Sequence, residues 1–151
     1  MYEIKKMSIE DYDEIIILWE NTDGVGLSRS DDSKEAIEKF LLKNPNTCFI
    51  ATYNDKEIIG TIMAGSDGRR GHLYHLMVKP EHRKNGIGKK LMEEAEEALR
   101  KEGINKAFLV AFKENDIGNK FWEENGYKIR EDLFYRDKRL ETKSSAEKHT
   151  F

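Results

Sequence analysis

The residues that could do chemistry crowd the middle of the chain. Over 82–90 the sequence reads HRKNGIGKK, with Gly86 and Gly88 two apart inside a basic cluster. An apolar, strand-like run, HLYHLMV at 72–78, precedes it, and an amphipathic helical pattern follows over 87–103. A helix N-terminus leaves its first backbone N–H groups unpaired and carries about half a positive charge. Glycine lets a bound group approach those N–H groups, because no Cβ stands in the way. Strand, glycine loop, helix is therefore a cradle for an anion, and phosphate suits it best. Arg83, Lys84, Lys89 and Lys90 add charge around it. A plain helix start with a glycine turn and solvated lysines is the other reading of the same residues. Two familiar phosphate motifs are excluded. A dinucleotide fingerprint needs a third glycine where Leu91 stands, and a P-loop needs GxxxxGK followed by Ser or Thr.

A second group of candidates lies on the run before the loop. Strand alternation places His72 and Tyr74 on one face and Leu73 and His75 on the other. Imidazole suits general-base work, with an unperturbed pKa near 6.5. His72 also reads as a solvated strand-edge residue, and His75 as a core histidine with its hydrogen bond satisfied. The single cysteine, Cys48, lies in the alternating stretch TCFIATY and reads as an inert buried thiol. One cysteine allows neither an internal disulfide framework nor a CxxC metal site, and no metal is expected.

These residues need a scaffold. The chain has 151 residues, the length of one ordinary domain. A net charge of -3 argues against a dedicated nucleic-acid binder, which would carry a broad basic face. No apolar run approaches membrane-spanning length, and the start, MYEIKKMS, lacks the apolar core of a signal peptide. A cytoplasmic protein with no membrane contact is the expectation. A strand over 2–7 leads into a helix started by Ser8, with Ile9, Tyr12, Ile15, Ile16 and Trp19 at helical spacing. A flexible loop, NTDGVGLSRS at 21–30, precedes a second helix that starts near Asp32 and ends at NPN, 44–46. Strands are expected at 47–53, 57–64 and 71–79, the last two antiparallel across the turn GSDGRRG. After the long helix, which Gly103 ends, NKAFLVAF at 105–112 reads as an inner strand covered on both faces. NDIGNKFWEEN at 115–125 reads as a short helix, and YKIR and LFYRDKRL as a terminal hairpin. Residues 1–140 make one domain on this reading, and 141–151 a mobile tail. Helices beside a largely antiparallel sheet, with one strand–helix–strand crossover at 71–112, define an α/β, or α+β layered, domain.

VKPEHRKNGIGKKLM resembles the central motif of the GNAT acetyltransferase superfamily, whose core is Arg/Gln-x-x-Gly-x-Gly/Ala, here Arg83 to Gly88. NDIGNKFWEENGYK at 115–128 resembles the family's second motif, an Asn opening a short helix that ends in an aromatic pair and Gly-aromatic. The element order over 2–140 fits the family, and the wording DGRRG then LYHLMV is close to an uncharacterised bacterial subgroup. The resemblance implies a mixed, mostly antiparallel sheet of six to seven strands flanked by about four helices. It implies acetyl-coenzyme A as co-substrate and no metal. The pyrophosphate would sit on the backbone of Arg83, Lys84, Asn85, Gly86, Ile87, Gly88 and Lys89. The pantetheine arm would pair with the backbone of Leu76, Met77 and Val78. Asn115 and Trp122 would line the arm's channel, between the strand at 71–79 and the one at 105–112.

The activity so implied is transfer of an acetyl group to a primary amine, of a small molecule or a protein, directly within a ternary complex. A lysine-like amine, of pKa about 10.4, costs roughly 4 kcal/mol to neutralise at neutral pH, so a base must lie near the thioester. His72 and Tyr74 fall where several family members place a base or its water relay. The usual Tyr acid of the short helix is replaced here by Trp122, and indole cannot supply that proton. A non-catalytic acetyl-coenzyme A sensor is therefore the competing reading. The acceptor wall in this family spans the first helix–loop–helix, here Trp19 to Ser30. Asp23 in it could hold an ammonium, whereas Arg69 and Arg70 could attract an acidic acceptor. A homodimer is common in the family, and nothing in the sequence marks its interface.

Overall fold

Five strands, in the order β1-β2-β3-β4-β5, form one sheet among residues 1–140, the part of the chain described in this computed structural model. They are β1 (Tyr2–Lys6), β2 (Phe49–Tyr53), β3 (Glu57–Ser66), β4 (Gly71–Val78) and β5 (Ala107–Phe108). The first four pair antiparallel, and β5 joins β4 in parallel. Four helices accompany them: α1 (Tyr12–Glu20), α2 (Lys34–Lys43), α3 (Ile87–Lys101) and α4 (Asp116–Glu124). None of the described helices is long and apolar enough to cross a membrane.

β3 is the middle of the molecule, and its sequence reads accordingly. Residues 58–64 are all buried, because helices cover both faces. On one face Ile59, Ile62 and Ala64 pack with α3 through Ile87, Leu91, Met92, Ala95 and Leu99. That spacing is the helical stripe read from the sequence. On the other face Ile58 and Met63 meet Ile15, Leu18 and Trp19 of α1 and Ile37 of α2. A fully buried leucine such as Leu91 contributes about 2 kcal/mol by removal from water. Gly103 ends α3 at φ +82, a left-handed position that glycine takes without strain.

Side-chain caps set two helix starts. Ser8 and Asp11 form a reciprocal capping box at the single 3-10 turn before α1. Ser33 accepts from the Ala36 N–H and starts α2 at Lys34, two residues beyond Asp32. Asp32 is thereby left outside the helix, with its carboxylate free for other work.

The sheet has fewer strands than the six to seven expected. The stretch 105–112 is not an inner strand: it pairs only at Ala107 and Phe108, opposite Gly71 and His72, and Phe108 is half-exposed. The terminal hairpin is absent, since 127–140 contains no strand. Ile129, Phe134 and Leu140 are more than four-fifths exposed. Their strand propensity has no surface to pack on, and propensity alone does not make a strand. The expected mobile tail, 141–151, lies outside the described residues.

Candidate functional site

β4 and the chain beyond β5 part company after two residue pairs, Gly71 with Ala107 and His72 with Phe108, and a cleft opens between them. His72, Tyr74, His75 and Leu76 line it from β4, and Leu109, Val110 and Ala111 from the opposite side. Gly24 and Val25 of the α1–α2 loop and Asn115 and Trp122 of the α4 region complete its lining. Phe121, beside Trp122, stands against Gly88 at the start of α3, where a Cβ would lie 3.4 Å from its ring. The cleft wall and the glycine loop thus share one aromatic pair.

The loop is built by its own side chains. Asn85 donates to the carbonyls of His82 and Arg83, and Tyr2 bonds the His82 ring at 3.0 Å. Lys84 (φ +67) and Gly86 (φ +76) are both left-handed, which curls the backbone into α3. α3 has no side-chain cap and no acidic residue in its first turn. Its N–H groups are therefore open to an external acceptor. Arg83 does not stand over the loop freely: its Nε–H donates to the Val78 carbonyl at 3.1 Å. The charges of Lys84, Lys89 and Lys90 are exposed.

On β4 the alternation breaks. Thr61 faces Met77 and Met63 faces Tyr74, so β4 carries an extra residue there, and His75 takes φ +49. Simple alternation puts His75 on the face opposite Tyr74. The bulge turns it to the α1–α2 side instead, 4.5 Å from the Trp19 ring and 6.4 Å from Tyr74. There His75 Nε2 bonds Asp32 Oδ1 at 2.8 Å, with both side chains more than nine-tenths buried. The other Asp32 oxygen accepts the Ser28 N–H at 2.8 Å, and Tyr12 donates to the Asp32 carbonyl at 2.6 Å. His75 Nδ1 is buried and has no hydrogen-bond partner. This pair was missed in the sequence, because Asp32 and His75 lie 43 residues apart and a bulge is needed to join them.

His72 lines the cleft as a sandwiched ring. It stacks on Tyr74 at 4.0 Å and meets Phe108 at 4.4 Å. Burial pushes its pKa down to about 4, and its Nε2 is buried without a partner. At neutral pH it is uncharged and a weak base. Burial also raises the Tyr74 phenol, with Tyr135 and the Asp31 carboxylate adding to it. Tyr127 donates to Glu96 at 2.6 Å and is raised further by its burial and that bond.

The acceptor residues fare unevenly. Trp19 is 1% exposed, with its indole N–H donating to Thr61 Oγ1 at 2.9 Å, so it backs His75 and forms no outer wall. Asp23 is exposed on the α1–α2 loop beside Gly24. Arg69 and Arg70 are exposed at the β3–β4 turn and do not line the cleft; their N–H groups fold onto Asp67. Met77 and Val78 point into the two cores, which leaves Leu76 as the cleft-lining member of that trio. Asn115 caps α4 by accepting the Gly118 N–H at 3.1 Å. No cluster of three metal-ligating side chains occurs among the described residues.

The sheet splays at its parallel pair beside the uncapped start of α3, and sequence and structural relatives assign this arrangement to a family. The sequence model of the Acetyltransferase (GNAT) family matches residues 12–127. An acetyltransferase of Sodalis glossinidius (strain morsitans) is 33% identical over 138 residues, covering 91% of this chain and 95% of its own. An acetyltransferase of Photorhabdus laumondii is 35% identical over 128 residues, covering 85% and 87%. Among solved structures, the PaiA N-acetyltransferase of Thermoplasma acidophilum, in complex with coenzyme A, superposes with a TM-score of 0.72. It is 26% identical, with 86% of this chain and 91% of that one covered. The chain belongs to the GNAT acetyltransferase family.

Proposed function

We propose that the protein is an acetyl-coenzyme A-dependent N-acetyltransferase that moves the acetyl group to a primary amine by direct transfer in the cleft. The observation that carries this reading is the cleft itself, walled by β4 and 109–111 and linked through Trp122 and Phe121 to the uncapped N-terminus of α3.

The residues present fit the cofactor. The N–H groups of the α3 start, with Lys84 and Lys89 exposed beside them, suit a pyrophosphate. The side of β4 that faces the cleft is unpaired beyond His72, so backbone near Leu76 is open to a strand-like arm. Asn115 and Trp122 would flank that arm. When bound, acetyl-coenzyme A supplies an activated acetyl group. The chain's part is to hold the two substrates in register, which supplies much of the rate, and to remove the proton of the incoming ammonium.

The test is calorimetric titration with acetyl-coenzyme A, with Gly88→Glu as control. Micromolar binding that the variant loses supports the cradle. No binding by a folded wild type overturns the assignment. Thiol release with any amine separates an enzyme from a sensor that binds without turnover.

A further inference from the structure

The geometry points to His75, held by Asp32, as the general base of this site. The inference rests on the acetyltransferase reading, and deepens it by naming a base other than the two cleft residues that sequence alternation brings forward.

Three observations carry it. First, the Asp32 carboxylate accepts from His75 Nε2 at 2.8 Å, which holds the ring proton on Nε2 and leaves a lone pair on Nδ1. Second, Nδ1 is buried with no partner in a ring whose residue lines the cleft. A buried imidazole nitrogen without a partner is costly unless something else uses it. Third, the ring is fixed by backbone. The left-handed φ of +49 at the bulge aims it, Trp19 packs on it at 4.5 Å, and Thr61 Oγ1 donates to the His75 carbonyl at 2.8 Å. A left-handed conformation at a non-glycine residue costs about 1–2 kcal/mol and persists where the surroundings enforce it. Asp32 is a positioning residue in this arrangement, and Ser28 and Tyr12 fix it in turn.

The step balances without an added reagent. His75 Nδ1, uncovered as the acceptor seats against it, takes one proton from the ammonium, directly or through one water. The freed nitrogen lone pair forms the C–N bond at the thioester carbonyl. The C–S bond breaks, and the surplus proton on nitrogen goes to the departing thiolate. The products are the amide and free coenzyme thiol, and His75 returns its proton to solvent. No phenolic acid is required, which accommodates Trp122.

The test joins a spectroscopic readout to a kinetic one. Long-range proton–nitrogen NMR of histidine-labelled protein reads the tautomer, with His75→Gln assigning the signal among the four histidines. The expected result is a bare Nδ1 in the wild type and loss of that tautomer in Asp32→Asn. Thiol release from acetyl-coenzyme A is then followed with a panel of primary amines, and with water alone as acceptor. His75→Gln and Asp32→Asn should each lose roughly 100-fold or more, the usual contribution of a general base, with acetyl-coenzyme A affinity unchanged within about twofold. If His75→Gln does not fold, Asp32→Asn carries the comparison, since it keeps the ring. Wild-type release by a folded variant, or a protonated Nδ1 in the wild type, overturns the inference while leaving the acetyltransferase reading intact. Absence of acetyl-coenzyme A binding overturns that reading instead.

Discussion

Asn115 occupies the place where a side chain on Gly24 would have to go: a Cβ there would stand 2.7 Å from Asn115 Nδ2. On its other side a Cβ at Gly118 would stand 2.6 Å from the same nitrogen. The α1–α2 loop is therefore pressed onto the start of α4 with no room for a methyl group, where both line the cleft.

Gly24→Ala should cost more than a backbone penalty. Its φ of +89 alone costs about 1–2 kcal/mol for any residue with a Cβ, and the displaced Asn115 adds to that. Gly68 is the control, with φ +93 and nothing within 4 Å of its would-be Cβ. Urea unfolding of the two alanine variants should place Gly24→Ala lower in stability than Gly68→Ala. Acetyl-coenzyme A affinity should weaken only in the first. Equal loss in both would mean that the contact with Asn115 is unimportant.

His72 should make the protein sensitive to acid. Its folded pKa, about 4, lies below the 6.5 of an unfolded histidine, so on acidification the unfolded chain takes up the proton first. The stability it contributes is complete above pH 6.5 and is lost as the pH falls towards 4. The shift corresponds to about 2 kcal/mol after discounting for the ring's partial exposure. Unfolding free energies from urea titrations at pH 7.5 and 4.5 should differ less in His72→Gln than in the wild type, by most of that amount. Equal differences in the two proteins would show that His72 is solvated.

Trp19 and Thr61 should behave as one unit. The indole N–H donates to Thr61 Oγ1, which itself donates to the His75 carbonyl. Thr61→Val leaves two buried groups unpaired, at about 1–3 kcal/mol each, and Trp19→Phe removes the bond and leaves a void. Their double-mutant cycle should show a coupling of about 1 kcal/mol, where distant sites would simply add.

Cys48 should resist alkylation. It is 1% exposed, and burial pushes its thiol up to about 12. Iodoacetamide at pH 8 should leave it untouched in the native protein and label it fully in urea. Native labelling at a free-thiol rate would mean that the strand around it opens readily.

Local chemistry was enough to read much of this protein from its sequence. The stripe of Ile87, Leu91, Ala95 and Leu99, the Ser8 box, the Gly103 stop and the glycine loop are all set within a few residues of chain. Helix periodicity, capping and left-handed glycine act over that range. The strands at 2–7, 47–53, 57–64 and 71–79, the antiparallel pairing of the last two across their turn, and the buried Cys48 were legible for the same reason. The resemblance over Arg83–Gly88 and 115–128 carried the family. What depends on distant partners was not legible. Apolar 105–112 and LFYRDKRL read as strands, yet a strand needs a neighbouring edge, and only Ala107 and Phe108 found one. Trp19 looked like an acceptor wall and became the support behind His75, because the sheet brought Thr61 to its N–H. Above all, one extra residue in β4 turned His75 to the side where Asp32 waits. Alternation along a strand is a local rule. A bulge is decided by the register of two strands, and so the tertiary structure alone determined which histidine received a carboxylate.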